Sequence, residues 1–537
     1  MAPRIVAALI LFLQATLVYS DGDYSQVAES PTVTLSAGPV MGRRVGSVNQ
    51  FLGLPFAEPP GRFEPPKPAT AWQGTYNATK HKPSCIQKFK YPKEAHDRTM
   101  RWYNNPPPPS GESENCLYLN VFTPRRAKPG SKPVMFWLFG GGFSFGTGSL
   151  PLYDGTSFAE NQDIVIVTVN YRTNIFGFPG SPEIPKEEQN LGLLDQRLAL
   201  DWVQRNIHAF GGDPDRVTLF GQSAGAGSID LLVTNPPEPI PFIAAIMQSG
   251  QGSITLPNRI SAKSWHKLVS IAKCDPMRAL ACIRDMPVEK VLEYIERRGL
   301  AFFPIFDGAT WTGTGRVDRR KSTVAEPRIA RVPVLVGSTA DDGGVFVYGQ
   351  KDLRAFLLDL LPKGFSLIDR IKERYGNKND VNKRAPVNHF LASVVKDFNF
   401  GCPAKIIAEE SASVGIPSWR YYFDAGFANT EIFPGSGAYH CSEISLIFGT
   451  FPRNGTNPYQ KQLSKTMQKA WADFAKNPTK GPGWEPTPKV SVFGDGYRPN
   501  SRGDGKRRVM VVRKPGLIDF PCSLYDNAYN AGILLSR

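Results

Sequence analysis

The chain has 537 residues, 41% of them hydrophobic and 21% charged, with a formal charge of +15. That balance is ordinary for a protein with a large buried core and excludes a fibrous or intrinsically disordered chain. Seven cysteines are an odd number, so even in an oxidising compartment at least one is left over.

Residues 1–20, "MAPRIVAALILFLQATLVYS", carry one positive charge at Arg4, an apolar stretch, and small or uncharged residues up to Ser20. That is the pattern of a secretory signal peptide, since a membrane anchor needs an apolar span of about 20 residues. Residues 21–537 are therefore expected to form a secreted protein without stable membrane insertion, and a single decorated unit, because no repeat or low-complexity linker divides them. Asn77-Ala-Thr79 and Asn454-Gly-Thr456 are glycosylation acceptors that fit export, whereas Asn477-Pro-Thr479 is excluded by its proline.

"PTVTLSAGPVMGRRV" and "NQFLGLPFA" read as an antiparallel meander at one sheet edge, and Pro106 to Pro109 as a stiff surface loop. Six later runs, "PVMFWLF", "DIVIVTVNY", "RVTLF", "PFIAAIMQSG", "RVPVLVGS" and "WRYYFDAG", are short, β-rich and nearly continuously apolar. Such strands are buried on both faces, as parallel strands are. Between them "NLGLLDQRLALDWVQRNI" places Leu191, Leu194, Leu198 and Trp202 at helical spacing, and "KQLSKTMQKAWADFAK" does the same near the end. Strands alternating with helices predict an α/β fold with a large, mostly parallel, doubly wound sheet. Basic clusters at Arg316 to Arg331 and Arg502 to Lys514 lack stacking aromatics and any reader motif, so they read as solvated faces, and nucleic acid is not an expected partner. Arg502-Gly-Asp504 reads as coincidence.

Two stretches fit Gly-x-Ser-x-Gly: "GFSFG" around Ser144 and "GQSAG" around Ser223. Ser223 follows the strand "RVTLF" and precedes "AGAGSIDLLV", which can start a helix; that is the strand, sharp turn and helix of a nucleophile elbow. After Ser144 comes "GTGSLPLYDG", which cannot be a helix, so Ser144 is not the nucleophile. The "GGGF" from Gly140 to Phe143 instead offers unhindered backbone N–H groups for an oxyanion hole, together with that of Ala224. A serine of this kind needs an imidazole base and a carboxylate, in the chain order nucleophile, acid, histidine. Of His81, His96, His208, His266, His389 and His440, the first three come too early and His266 precedes the strand expected to carry the acid. His389 sits in a helical pattern, where a structural role fits better, and His440 sits in a Gly-rich loop after "WRYYFDAG" and is the expected base. The acid should leave "RVPVLVGS" in "TADDGG", where spacing leaves both Asp341 and Asp342 open.

The ordered motifs "FLGLPFAEPP", "SENCLYLNVF", "FGGGF", "NLGLLDQRLAL", "FGGDPDRVTLFGQSAGA", "MQSG" and "GAYHCSE" resemble those of the type-B carboxylesterase and cholinesterase family of α/β-hydrolases, over nearly the whole mature chain. The resemblance implies an α/β-hydrolase fold with helical cap insertions and a serine esterase acting on small-molecule esters. Matched position by position, it implies Ser223 as nucleophile, His440 as base, and Gly141, Gly142 and Ala224 as oxyanion donors. It selects Asp342, immediately before the glycine of "DDG", as the acid. The family usually has glutamate there. Aspartate is one methylene shorter, so either His440 lies nearer that loop or a water bridges the two. Gln222, Ser249 and Glu443 match positions around the acid and base.

The resemblance further implies disulfides Cys85–Cys116 and Cys274–Cys282, with Cys402–Cys522 matching a third pair of cholinesterases. Cys441, where the family commonly has glycine, then stays free beside the histidine and is expected to confer sensitivity to thiol reagents. Trp102 and Phe143 are candidate substrate contacts: cholinesterases place a tryptophan in the first disulfide loop to face the choline cation. They also carry glutamate where this chain has the neutral Gln222. Phe139 before the glycine triplet keeps a lipase or sterol esterase reading open, and an adhesion module is the alternative from another class, although such relatives usually lack the serine or histidine retained here. No metal cluster or nucleotide loop stands out, so no cofactor is expected.

Overall fold

In the computed structural model, residues 30–103, 110–254, 260–350, 352–360, 367–375, 387–499 and 507–535 are described. The signal pattern, Pro106 to Pro109 and Arg502-Gly-Asp504 lie outside them. The strands in chain order are β1 (Thr32–Leu35), β2 (Gly38–Met41), β3 (Arg43–Val45), β4 (Val48–Pro55), β5 (Tyr76–Asn77), β6 (Tyr118–Pro124) and β7 (Lys132–Leu138). They continue with β8 (Val165–Val169), β9 (Gly212–Gln222), β10 (Ala244–Gln248), β11 (Val334–Thr339), β12 (Ser418–Ala425), β13 (Val490–Tyr497) and β14 (Met510–Arg513). Eleven of them form one sheet in the order β14-β13-β12-β11-β10-β9-β7-β8-β6-β4-β3.

The six apolar runs read from the sequence are the contiguous block β8-β7-β9-β10-β11-β12, with every neighbouring pair parallel. Every residue of β8, β10 and β11 is buried, because helices cover both faces and leave no polar side to alternate with. Helices Leu191–Asn206 and Pro458–Lys476 fall on the two predicted helical patterns. The first buries Leu191, Leu193, Leu200 and Val203, while Leu194 and Leu198 are only half-buried. This is an α/β-hydrolase sheet: parallel at its centre and antiparallel at its edges.

The N-terminal meander divides where one was expected. Strands β1 and β2 pair antiparallel in a separate three-stranded sheet completed by β5, and only β3 and β4 join the edge of the large sheet. At the opposite edge β13 runs parallel to β12, and β14 closes antiparallel.

Three apolar clusters surround this frame. The largest spans the sheet and its flanking helices; the second packs Trp265, Ile283, Ile295 and Phe302 against Phe63 and Phe178; the third joins Leu391, Val394 and Ile406 to Tyr525 and Tyr529. Each has its own disulfide: Cys85–Cys116, Cys274–Cys282 and Cys402–Cys522 respectively. Among the described residues no helix is long and apolar enough to cross a membrane.

The basic segment Arg316 to Arg331 is only in part the solvated face its composition suggests: Arg320, Lys321 and Arg328 are exposed, but Arg316, Arg319 and Arg331 turn inward. Arg319 is fully buried, 2.5 Å from Asp230, and also donates to Ser253 Oγ. Arg316 pairs with Glu410, and Arg331 donates to the Ser322 and Val414 carbonyls. These three arginines serve carboxylates and carbonyls that need partners away from water. Asp230 lies in the helix that follows Ser223, so this pair pins that helix. Arg319→Met leaves the buried Asp230 with the Ser253 N–H but without its counter-charge, and is expected to cost about 3–5 kcal/mol. Urea unfolding checks this, and a loss below about 1 kcal/mol, the range of an exposed pair, contradicts it.

Candidate active site

The centre of the sheet delivers four segments to one place, at the carboxyl ends of β7, β9, β10 and β11, where ligands bind in open α/β sheets. Ser223 follows β9 directly with φ +56° and ψ −122°, a conformation costly for any residue but glycine, and caps the helix Ala224–Thr234. Its N–H donates to the Gln248 carbonyl at 2.8 Å, anchoring the turn to β10. Only glycine fits at 225, where a Cβ would stand 2.0 Å from the Leu138 carbonyl oxygen of β7. The strained serine is thus held from both neighbouring strands.

Asp342 is fully buried three residues beyond β11. Its Oδ2 accepts from Ser249 Oγ at 2.9 Å and from the Thr339 N–H at 2.8 Å. Its Oδ1 lies 2.7 Å from His440 Nδ1, a direct contact that needs no bridging water despite the shorter side chain. An imidazole donating from Nδ1 presents a lone pair at Nε2, and there the Gln222 amide N–H donates at 3.1 Å. Asp341 points elsewhere: its Oδ2 accepts from the Ala438 N–H and pairs with Arg498 at 2.8 Å.

The imidazole is clamped by rings as well. Phe400 and Phe346 lie 4.7 and 5.0 Å from it, centroid to centroid. Phe346 follows Asp342 by four residues, whereas Phe400 comes from a distant helical segment, and neither carries a sequence signal for this role. The Thr339 N–H on Asp342 likewise has no signature in the sequence.

Gly141 and Gly142 lie on the cavity wall, with Gly141 at φ +113° and a virtual Cβ 2.1 Å from the Phe145 carbonyl oxygen. Ala224 is the first residue of its helix, so its N–H has no partner within the helix. Ser144 sits in a turn, as its surroundings predicted, with its hydroxyl donating to Gly142 O at 3.3 Å. Ser223, His440, Gln222 and the glycine turn open together on one cavity of about 510 Å3.

The sequence profile of the Carboxylesterase family matches residues 29–492. The chain belongs to the carboxylesterase family. It is 33% identical to acetylcholinesterase of Bungarus fasciatus over 469 residues, 81% of this chain and 76% of that protein. It is 31% identical to cholinesterase of Mus musculus over 500 residues, 87% and 81% of the two chains. Membership makes this protein a carboxylic ester hydrolase.

Several expected contacts of this carboxylesterase are relocated. Phe143 does not line the cavity; its ring packs edge-on against Phe178 at 5.3 Å, wedged between two core clusters. Trp102 does line it, from the helix Lys93–Tyr103 inside the Cys85–Cys116 loop, with its indole N–H donating to the Ile432 carbonyl at 3.1 Å. Cys441 is the free thiol, as expected. Burial first, then the Glu443 and Asp342 charges, push it well above the ordinary thiol range. The thiol is only half-buried and lines the cavity, so this shift slows its expected reaction with thiol reagents without closing access to it.

Glu443 of this carboxylesterase is fully buried and accepts from Gln248 Nε2 at 3.1 Å rather than touching His440. Burial and then the Asp342 charge push its carboxyl up to about 8, so at neutral pH it adds no second negative charge beside Asp342. An unfolded glutamate ionises near 4.5, so the stability linked to the protonated form is complete below that pH and is lost as pH rises through about 8. Glu443→Gln cannot ionise, and its Tm relative to the parent chain is expected to climb between about pH 5 and about pH 8. Calorimetry across that range checks it; a Tm difference that does not change with pH contradicts it.

Proposed function

We propose that this enzyme is a secreted serine esterase in which Ser223 is the nucleophile, His440 the general base, and Asp342 the acid that holds the imidazole. The observation that carries the reading is the 2.7 Å contact between Asp342 and His440 Nδ1, with Nε2 turned to Gln222, the residue before Ser223. In the resting protein the Gln222 amide occupies the Nε2 lone pair, and the Ser223 hydroxyl takes its place when an ester enters. His440 then receives the Ser223 proton, the serine oxygen attacks the ester carbonyl, and the oxyanion is held by the N–H groups of Gly141, Gly142 and Ala224. Collapse of this intermediate expels the alcohol, which takes the proton from His440. Water activated by the same imidazole then releases the acid and restores Ser223. Ser249 and the Thr339 N–H keep Asp342 facing His440 throughout.

Secretion is supported by the signal-like residues 1–20, by three disulfides, and by the exposure of both acceptor asparagines, Asn77 and Asn454. We read residues 21–537 as one catalytic unit.

Ser223→Ala is expected to lower kcat for p-nitrophenyl butyrate by at least about 10⁴-fold. Asp342→Asn should fall by a similar factor, through the wrong imidazole tautomer, whereas Asp341→Asn should lose no more than about tenfold. Near-parental turnover by Ser223→Ala, or equal losses in the two aspartate variants, sinks the assignment.

A further inference from the structure

The cavity wall carries three cationic side chains, Lys88, Lys90 and Arg98, and among the described lining residues no aspartate or glutamate. Lys88 lies against the glycine turn: its backbone N–H donates to the Ser144 carbonyl at 2.9 Å, and the next residue, Phe89, stacks on Phe145 at 5.3 Å. Arg98 is one helical turn before Trp102 and sets its guanidinium 5.7 Å from the Trp102 ring centroid and 5.2 Å from that of Tyr348. Those faces are the aromatic surface on which a ligand cation could be held, and a protein cation already covers them.

The nearest carboxylates are engaged elsewhere. Glu296 accepts from the Phe89 N–H at 2.8 Å, Glu112 from Gln87, and Asp97 from Lys93 and His96. Burial pushes the Lys88 ammonium below the ordinary lysine value; the Glu296 charge opposes this and Lys90 adds to it. Lys90, exposed at the rim, is lowered by partial desolvation and then by Arg98. Three like charges that are partly stripped of water and mutually repelling gain from a counter-charge, and one entering with the substrate supplies it.

We propose that this esterase prefers esters bearing a fixed negative charge, a carboxylate above all, which Lys88, Lys90 and Arg98 receive while the ester carbonyl faces Ser223. The proposal rests on the serine-esterase reading given above. It also implies that a choline-like cation is the poorest of matched substrates, because Arg98 stands where such a cation would stack.

The test compares three butyryl thioesters that differ only in the leaving thiol: 3-mercaptopropionate, thiocholine, and 3,3-dimethylbutanethiol, the neutral isostere of thiocholine. Monoethyl adipate against ethyl hexanoate, followed by pH-stat, asks the same of the acyl half. The expected kcat/KM order is anion, neutral, cation, with the anion ahead of the neutral ester by at least about tenfold in one half or the other. Lys90→Gln and Arg98→Gln should each shrink that ratio, Lys90→Arg should preserve it, and added salt should erode it in the parent protein even if a variant fails to fold. A neutral ester used as well as the anionic ones in both halves, or a ratio indifferent to these substitutions, overturns the proposal while leaving the serine esterase intact. No turnover of any ester overturns both.

Discussion

A serine becomes a nucleophile only beside an imidazole that is fixed in orientation and in tautomer, and in the proposed triad both conditions rest on one buried contact, Asp342 Oδ1 to His440 Nδ1 at 2.7 Å. The carboxylate in turn is held by Ser249 and the Thr339 N–H, the imidazole by Phe346 and Phe400. Thr339 and Phe346 flank Asp342 in one segment, whereas Ser249, Phe400 and His440 come from three others, so the contact depends on several strands being in place. The parallel block β9-β10-β11-β12 brings Ser223, Ser249, Asp342 and the loop to His440 to the same edge.

The strained serine depends on the same frame. A φ of +56° at Ser223 persists because β7 approaches so closely that a Cβ on Gly225 would collide with Leu138, and because the Ser223 N–H is tied to β10. Behind it, the buried Arg319–Asp230 pair fixes the helix that begins at Ala224, whose N–H is the proposed oxyanion donor. Structure and the proposed chemistry are therefore not separable here: core packing holds the geometry that the proposed triad requires.

Much of this was legible in the sequence, for identifiable reasons. Buried parallel strands are continuously apolar, so six of them stood out, whereas β13, "VSVFGDGY", mixes glycine and aspartate and β14 is half exposed, and neither stood out. Ser223 is distinguished from Ser144 by the helix-forming residues directly C-terminal to it, and His440 from the other histidines by its order in the chain and its Gly-rich loop. Asp341 and Asp342 are adjacent, and local pattern cannot say which one turns inward; Arg498, 157 residues away from Asp341, takes the other. The buried role of Arg319 and the ring clamp on His440 rest on contacts between distant segments, to which composition is blind. Arg98 on Trp102 is a four-residue helical spacing that could have been read, had the helix been foreseen.

The most direct test of this chemistry is to trap the acyl-enzyme. The protein is mixed with p-nitrophenyl acetate, quenched in acid before steady state, digested, and the acetylated residue located by mass spectrometry. A single acetyl group is predicted on Ser223, forming in a burst with p-nitrophenol and disappearing with turnover. Acetyl on Ser144 or Cys441 instead, or ester hydrolysis with no covalent species on Ser223, would contradict it.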